Sequence, residues 1–276
     1  MTLLALARLG SGVLPVDEPV LHADDLAVLR GQAVFETIRV YGGRPFRLGG
    51  HLERLAASAR RLKLPEPDRA GFEESVAAAL AACDVRGDTS LRLLWTAGRE
   101  DAGEPVGLVL VATLAPDLDE LRARGLRLKS VRWEPGALAG AKSTSYAENM
   151  AARDAAVSAG ADDALFVSPE GVVLEAPTSN VWIRRGDTLL TPPLHLPLLA
   201  GVTRAALLEL APAAGYEAQE LSFTLAELLD ADEVFYSSSL REVTPVVEVD
   251  GAPVGGGAPG PAAAALQLAL RAAASG

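Results

Sequence analysis

A two-domain α/β fold of α+β character is predicted by three features of this 276-residue chain. β-Branched and aromatic runs alternate with segments of helical period along its length. A Leu114-Ala115-Pro116-Asp117 step ends one strand pattern and opens a charged segment, as a connection between domains does. Apolar residues make up 49% and charged residues 22%, a globular composition, and the length can bury one large or two modest cores. The expected division is a smaller domain over residues 1–114, a linker at 115–123 and a larger domain over 124–276.

Ala33-Val-Phe-Glu-Thr-Ile-Arg-Val-Tyr41 reads as a strand, and its alternation puts Phe35, Thr37, Arg39 and Tyr41 on one face. Gly42-Gly43 makes a turn. Leu52, Leu55, Ala59 and Leu62 fall at helical spacing within residues 49–62, before Pro65 and Pro67. A second helix is predicted over 72–83. Strands follow at 90–96 and 106–113, joined by a polar loop at 98–105.

Beyond the linker come a strand at 126–133 and a helix at 146–158. Short strands at 164–167, 172–175, 181–184 and 188–190 follow, with Pro-Glu-Gly and Arg-Gly-Asp as turns. Helices are predicted at 202–210 and 225–229, the second with Thr224 and Glu227 at capping-box spacing. Strands at 233–236 and 246–249 precede Gly255-Gly256-Gly257, read as a flexible linker, and a closing helix after Pro261.

A net charge of −11, from 25 Lys and Arg against 36 Asp and Glu, argues against a nucleic-acid partner. Anionic ligands must then be drawn in by local arginines. Cys83 is the only cysteine, so no internal disulfide forms, and a reducing compartment, the cytoplasm, is expected. No apolar stretch is long enough to span a bilayer, so no membrane partner is expected. His22, His51 and His195 are scattered without ligand spacing, so no metal site is expected. Asp24-Asp25, read as strand neighbours, point to opposite faces and make no carboxylate pair.

Three segments carry chemistry. Lys142 sits in Ala139-Gly-Ala-Lys-Ser-Thr-Ser-Tyr146, between small residues and just before a helix. An amine there can turn inward, where burial favours its deprotonated, nucleophilic form. Glu175 is bounded by Val173-Leu174 and Ala176-Pro177, with Asn180 five residues on. Gly201-Val202-Thr203-Arg204 opens a helix after a Pro-rich loop, so its first amides have no intrahelical partner and can bind an anion.

In order and spacing these segments resemble the fold-type IV pyridoxal-phosphate enzymes: the branched-chain and D-amino-acid aminotransferases and aminodeoxychorismate lyase. The resemblance runs from about Asp24 to Pro245. It implies the cofactor pyridoxal 5′-phosphate, a Schiff-base role for Lys142, and Glu175 as the partner of the pyridine nitrogen. Val202 and Thr203 match the phosphate-binding pair. Arg54, in His51-Leu-Glu-Arg54, matches the arginine that completes the phosphate site, and Ser238 and Ser239 match a small hydroxyl pair at a strand end. Tyr146 stands near the position of a tyrosine that approaches the cofactor, four residues after the lysine instead of five.

On the substrate side the resemblance points to Phe35, Thr37, Arg39 and Arg99. Thr37 matches a threonine of the lyases, and Arg39 stands where branched-chain enzymes hold a substrate carboxylate. Ala97-Gly-Arg-Glu-Asp-Ala-Gly-Glu-Pro105 departs from the Arg-Gly-x-Gly-x-Arg-Gly-Tyr loop of the lyases. The implied function is a transaminase of D-amino acids or of broad scope, with aminodeoxychorismate lyase as the alternative. Further off stands a protein that binds the cofactor without turnover. Amino-acid and keto-acid substrates and a homodimer are implied as well, with Arg99 crossing to the other subunit.

Overall fold

The computed structural model describes residues 1–83, 87–101 and 103–275. The chain divides into two compact units. The first takes Met1–Ala115 together with Gly140–Tyr146, and the second Pro116–Ala139 with Ala147–Gly276. The Lys142 segment thus groups with the first unit, although it lies within the expected domain at 124–276.

The first unit is an antiparallel sheet with helices on one face. Its strands are β1 (Leu3–Arg8), β2 (Gly12–Leu14), β3 (Ala33–Tyr41), β4 (Arg44–Pro45), β5 (Thr89–Thr96) and β6 (Gly107–Thr113), in the order β2-β1-β6-β5-β3-β4. Helix α1 (Leu26–Arg30) is a single turn capped by Asp25, and α2 (Leu48–Arg61) and α3 (Arg69–Ala81) cover the sheet. Val34, Ile38 and Val40 of β3 pack with Leu52, Leu55 and Phe72 from the helices, all buried. Phe35, Thr37, Arg39 and Tyr41 therefore take the opposite face, as the alternation requires. Asp24 and Asp25 are not on a strand: Asp25 accepts the Ala27 amide at 2.8 Å and the Thr96 hydroxyl at 3.1 Å.

The second unit holds α4 (Leu118–Arg124), where a linker to residue 123 was expected, then β7 (Leu126–Arg132), α5 (Ala147–Ser158), β8 (Asp163–Val167), β9 (Asn180–Arg185) and β10 (Thr188–Thr191). It continues with α6 (Val202–Leu210), β11 (Glu217–Glu220), α7 (Leu225–Leu229), β12 (Glu233–Ser238), β13 (Glu242–Val249), β14 (Ala252–Pro253) and α8 (Pro261–Ser275). The sheet is mixed, in the order β11-β10-β9-β12-β13-β7-β8, with β14 beside β13. Parallel pairing joins β7 to β8 and to β13, and β10 to β11.

One face of this sheet packs Leu128, Leu165, Ile183, Val234 and Tyr236 into a core. On the other face Trp182 stacks on Phe235 at 5.8 Å and donates its indole N–H to Ser237 at 2.9 Å. The capping box of α7 forms as its spacing predicts. Residues 172–175 make only isolated bridges, Val172 to Thr224 and Val173 to Val167, and not a strand. Gly255–Gly257 forms a short exposed 3₁₀ turn in place of the expected linker, and Gly255 backs closely on Asp232, where a Cβ would lie 2.4 Å from the carbonyl. Among the described residues no helix is long and apolar enough to cross a membrane.

Candidate functional site

In the first unit the Lys142 segment runs along the start of β3. Lys142 donates its amide to the Ser58 hydroxyl at 3.0 Å and accepts from the Phe35 amide at 2.9 Å. Ser143 bridges Val34, and the Thr144 amide donates to Ala33 at 2.9 Å. Three consecutive residues are thereby held by the free edge of a buried strand. The Lys142 amine lies 4.6 Å from the centre of the Phe35 ring and 5.8 Å from that of Tyr146. Those rings meet edge to face, 5.6 Å apart at 89°. Phe35, Lys142 and Tyr146 are therefore brought together.

Arg54 lies on α2, under the other face of β3, and binds Glu36 with Nε at 2.8 Å and Nη2 at 2.6 Å. His51, one helical turn earlier, places Nδ1 2.6 Å from the same carboxylate. Glu36 is out of phase with Phe35 and Thr37 and so is carried to the core face, where it is fully buried. Burial pushes its carboxyl up, but the charge and hydrogen bonds of Arg54, with the hydrogen bond of His51, outweigh that and bring it down to about 2. His51 is held below the ordinary histidine range, chiefly by burial, with Glu36 opposing and the charges of Arg54 and Lys142 adding. It is neutral at pH 7, so Nδ1 carries the proton donated to Glu36. The composition-based reading passed over Glu36 and took His51 for an isolated histidine. The available signal was the i, i+3 spacing of His51 and Arg54, which faces both the same way.

Thr37 is half-buried, opposite Arg92 on β5. Arg92 places its guanidinium 5.8 Å from the Phe35 ring centre, on the face that holds Lys142. Arg39 is buried, bonded to Asp88 at 2.9 and 3.2 Å and stacked over Tyr41 at 5.2 Å. Arg99 is half exposed and takes Asp24 with Nε at 2.9 Å and Nη2 at 2.7 Å. Arg39 and Arg99 thus each hold a carboxylate of the chain itself. Arg92, which sequence reasoning missed, has none among the described residues. Ala102, in the loop at 98–105, lies outside the described residues.

In the second unit Glu175 Oε2 accepts from the Leu199 amide at 3.1 Å and from Asn180 Nδ2 at 3.3 Å. Asn180 Nδ2 also donates to the Leu199 carbonyl at 2.9 Å. Two residues on, Gly201 opens α6 with no side-chain cap, so the Val202 and Thr203 amides lack helix partners. A Cβ on Gly201 would stand 1.9 Å from Asn180 Oδ1, so only glycine lets the helix start come this close. Ser237 is the cross-strand neighbour of Asn180, which sets Ser238 at the end of β12 beside the same corner, with Ser239 in the turn beyond. A carboxylate with its orientation fixed, next to an uncapped helix start, fits a phosphorylated pyridine. In the first unit the amine of Lys142, held over an aromatic ring, suits covalent attachment of an aldehyde.

A family model described as Amino-transferase class IV matches residues 33–249. The chain is 38% identical over 251 residues to a bifunctional aminodeoxychorismate lyase / D-amino acid transaminase of Mycobacterium tuberculosis, covering 84% of this chain and 87% of that one. It is similar to the structure of a hypothetical aminotransferase from Mycobacterium tuberculosis in its PLP-bound form, with a TM-score of 0.91 and 35% identity over 98% of each chain. A fold IV-transaminase from Curtobacterium pusillum gives a TM-score of 0.90 at 34% identity, over 98% of this chain and 97% of that one. With the family model spanning residues 33–249 and a 38% identical relative matched over 84% of this sequence, the chain belongs to the class IV aminotransferases.

Proposed function

We propose that this protein is a pyridoxal 5′-phosphate-dependent transaminase of D-amino acids, or of broad amino-acid scope, passing the amino group to an α-keto acid. The observation that carries the reading is the Glu175 carboxylate, held by the Leu199 amide and Asn180 beside the bare start of α6. When bound, the cofactor's pyridinium ring draws off the electron pair left on the substrate α-carbon. Glu175 keeps the ring nitrogen protonated, because a fixed negative partner favours the charged form. The Val202 and Thr203 amides bind the phosphate, with Ser238 and Ser239 at the same corner of the second unit. Lys142 is the covalent anchor, and its amine, once freed, carries the proton of the α-carbon.

Arg92 takes the substrate carboxylate. It shares the Phe35 and Thr37 face and has no carboxylate partner among the described residues, whereas Arg39 is already bound by Asp88. A charge-assisted contact of this kind is worth roughly 1.5–3 kcal/mol. Thr37, opposite Arg92, supports a second reading as an aminodeoxychorismate lyase, and the Mycobacterium tuberculosis relative is named for both activities. The working unit in this reading is a cytoplasmic homodimer in which the loop at 98–105 meets the other subunit. A fully active monomer in light scattering excludes that part.

One preparation given D-alanine with an α-keto acid, and separately aminodeoxychorismate, decides between the activities. Amino transfer from D-alanine that falls about ten- to hundredfold in Arg92→Ala supports the transaminase reading. Release of 4-aminobenzoate and pyruvate, lost in Thr37→Val and without transfer from any amino acid, overturns it in favour of the lyase.

A further inference from the structure

We propose that Tyr146 is a positioning residue that acts through its ring, by bracing Phe35 under the Lys142 amine and itself facing that amine at 5.8 Å, and not through its phenol. The inference rests on the reading of Lys142 as the cofactor's anchor. A lysine side chain has four rotatable bonds, and an amine that must meet one atom of a cofactor gains from any surface that narrows its positions. Phe35 offers that surface: its ring centre lies 4.6 Å from the amine, and a cation is drawn to an aromatic face. A phenylalanine ring is held only by its neighbours. Tyr146 stands on it edge to face, at 5.6 Å and 89°, in the arrangement that ring quadrupoles favour.

The backbone makes this contact local and firm. Thr144 donates to the Gly31 carbonyl at 3.0 Å through its hydroxyl and to Ala33 at 2.9 Å through its amide. The Tyr146 amide then donates back to Thr144 at 2.8 Å, a tight reversal that returns the ring to Phe35. Lys142 and Tyr146 therefore lie on either side of residues tied to one strand edge. Phe35 also carries Arg92, 5.8 Å from its centre, so one ring spaces two cations. The amino and carboxylate groups of an α-amino acid sit on a single carbon, and their partners must keep a fixed separation. A braced Phe35 keeps it, and a tilting Phe35 does not.

The test uses wild type, Tyr146→Leu, Tyr146→Phe, Phe35→Leu and the Tyr146→Leu/Phe35→Leu double variant. In cofactor-free protein, pyridoxal 5′-phosphate is added and the adduct on Lys142 is trapped with borohydride at timed intervals. The circular dichroism of the bound cofactor's visible band, per cofactor bound, reports its orientation. Tyr146→Leu is expected to slow trapping about three- to tenfold and to weaken the dichroic band. Tyr146→Phe is expected to restore both. The double variant should be less impaired than the two single losses combined, because the two rings hold one amine together. If Tyr146→Phe is as impaired as Tyr146→Leu, the phenol carries the role and the inference falls. Additive losses in the double variant, or trapping unchanged in Tyr146→Leu, also overturn it. An absence of adduct on Lys142 in the wild type removes the underlying reading instead, so the two failures are distinguishable.

Discussion

Replacing Arg54 by leucine should unfold this protein more readily even without cofactor, and the buried Glu36 explains why. Wild-type Glu36 is fully buried and ionised, with two bonds from Arg54 and one from His51. Removing one partner of a buried ion pair costs roughly 3–5 kcal/mol, because the remaining charge stays out of water uncompensated. His51 lies 2.6 Å away and can take up a proton, which places the loss near the lower end, about 3 kcal/mol.

The pH dependence should weaken as well. In the wild type both groups are depressed, Glu36 from 4.5 to about 2 and His51 below 6.5. Each contributes stability that is complete above its unfolded value and lost as the pH falls through its folded value. Without Arg54 the buried Glu36 and His51 pair takes up a proton more readily, which offsets the proton that the unfolded chain gains at His51, so Arg54→Leu should lose less stability than the wild type on acidification from pH 7 to 5. Urea denaturation of the cofactor-free proteins at both pH values measures this. Glu36→Gln combined with Arg54→Leu should recover part of the loss, since no buried charge remains. A loss under about 1 kcal/mol, or a double variant less stable than Arg54→Leu, would refute the reasoning.

Three further outcomes follow from the same geometry. Glu175→Gln should retain the cofactor, since an amide oxygen still accepts from Leu199, but should lower turnover by at least about a hundredfold; steady-state kinetics on the cofactor-saturated variant checks it. Gly201→Ala should fold, because Gly201 has an ordinary φ of −66°, yet displace Asn180, which a new Cβ would meet at 1.9 Å. With two Asn180 hydrogen bonds disturbed, fluorescence titration should show cofactor affinity down about tenfold or more. In the wild type, stability should decline from pH 7 to pH 5 as the unfolded chain takes up a proton that buried His51 refuses, and His51→Asn should flatten that slope in urea titrations.

Elements with a clean period were legible in the sequence. β3 and α6 fall at the predicted residues, and the α7 cap forms from its Thr224 and Glu227 spacing. The contents of the site were partly legible: Lys142, Glu175 and the Gly201 helix start lie in locally distinctive sequence. Partners supplied from far along the chain were not. Asp88 binds Arg39 across 49 residues, and Asp24 binds Arg99 across 75, so two arginines read as substrate ligands are already neutralised. Glu36 was passed over among the apolar Val34, Ile38 and Val40 of its own face, because the strand alone does not show that Arg54 and His51 will meet it in the core. Short elements such as α1 and β2 were missed for want of a full period, and residues 172–175 carry strand composition without a ladder to join.

The identity of the covalent anchor is the central claim, and the chain has only three lysines to choose from: Lys63, Lys129 and Lys142. Lys129 is paired with Asp250 at 2.9 Å, and Lys63 lies just past the end of α2. Borohydride reduction of the protein with bound pyridoxal 5′-phosphate, followed by digestion and mass mapping, reads the site directly. The account predicts a pyridoxyl group on Lys142 alone, at one per chain. A label on Lys63 or Lys129, or none on any lysine, would contradict it.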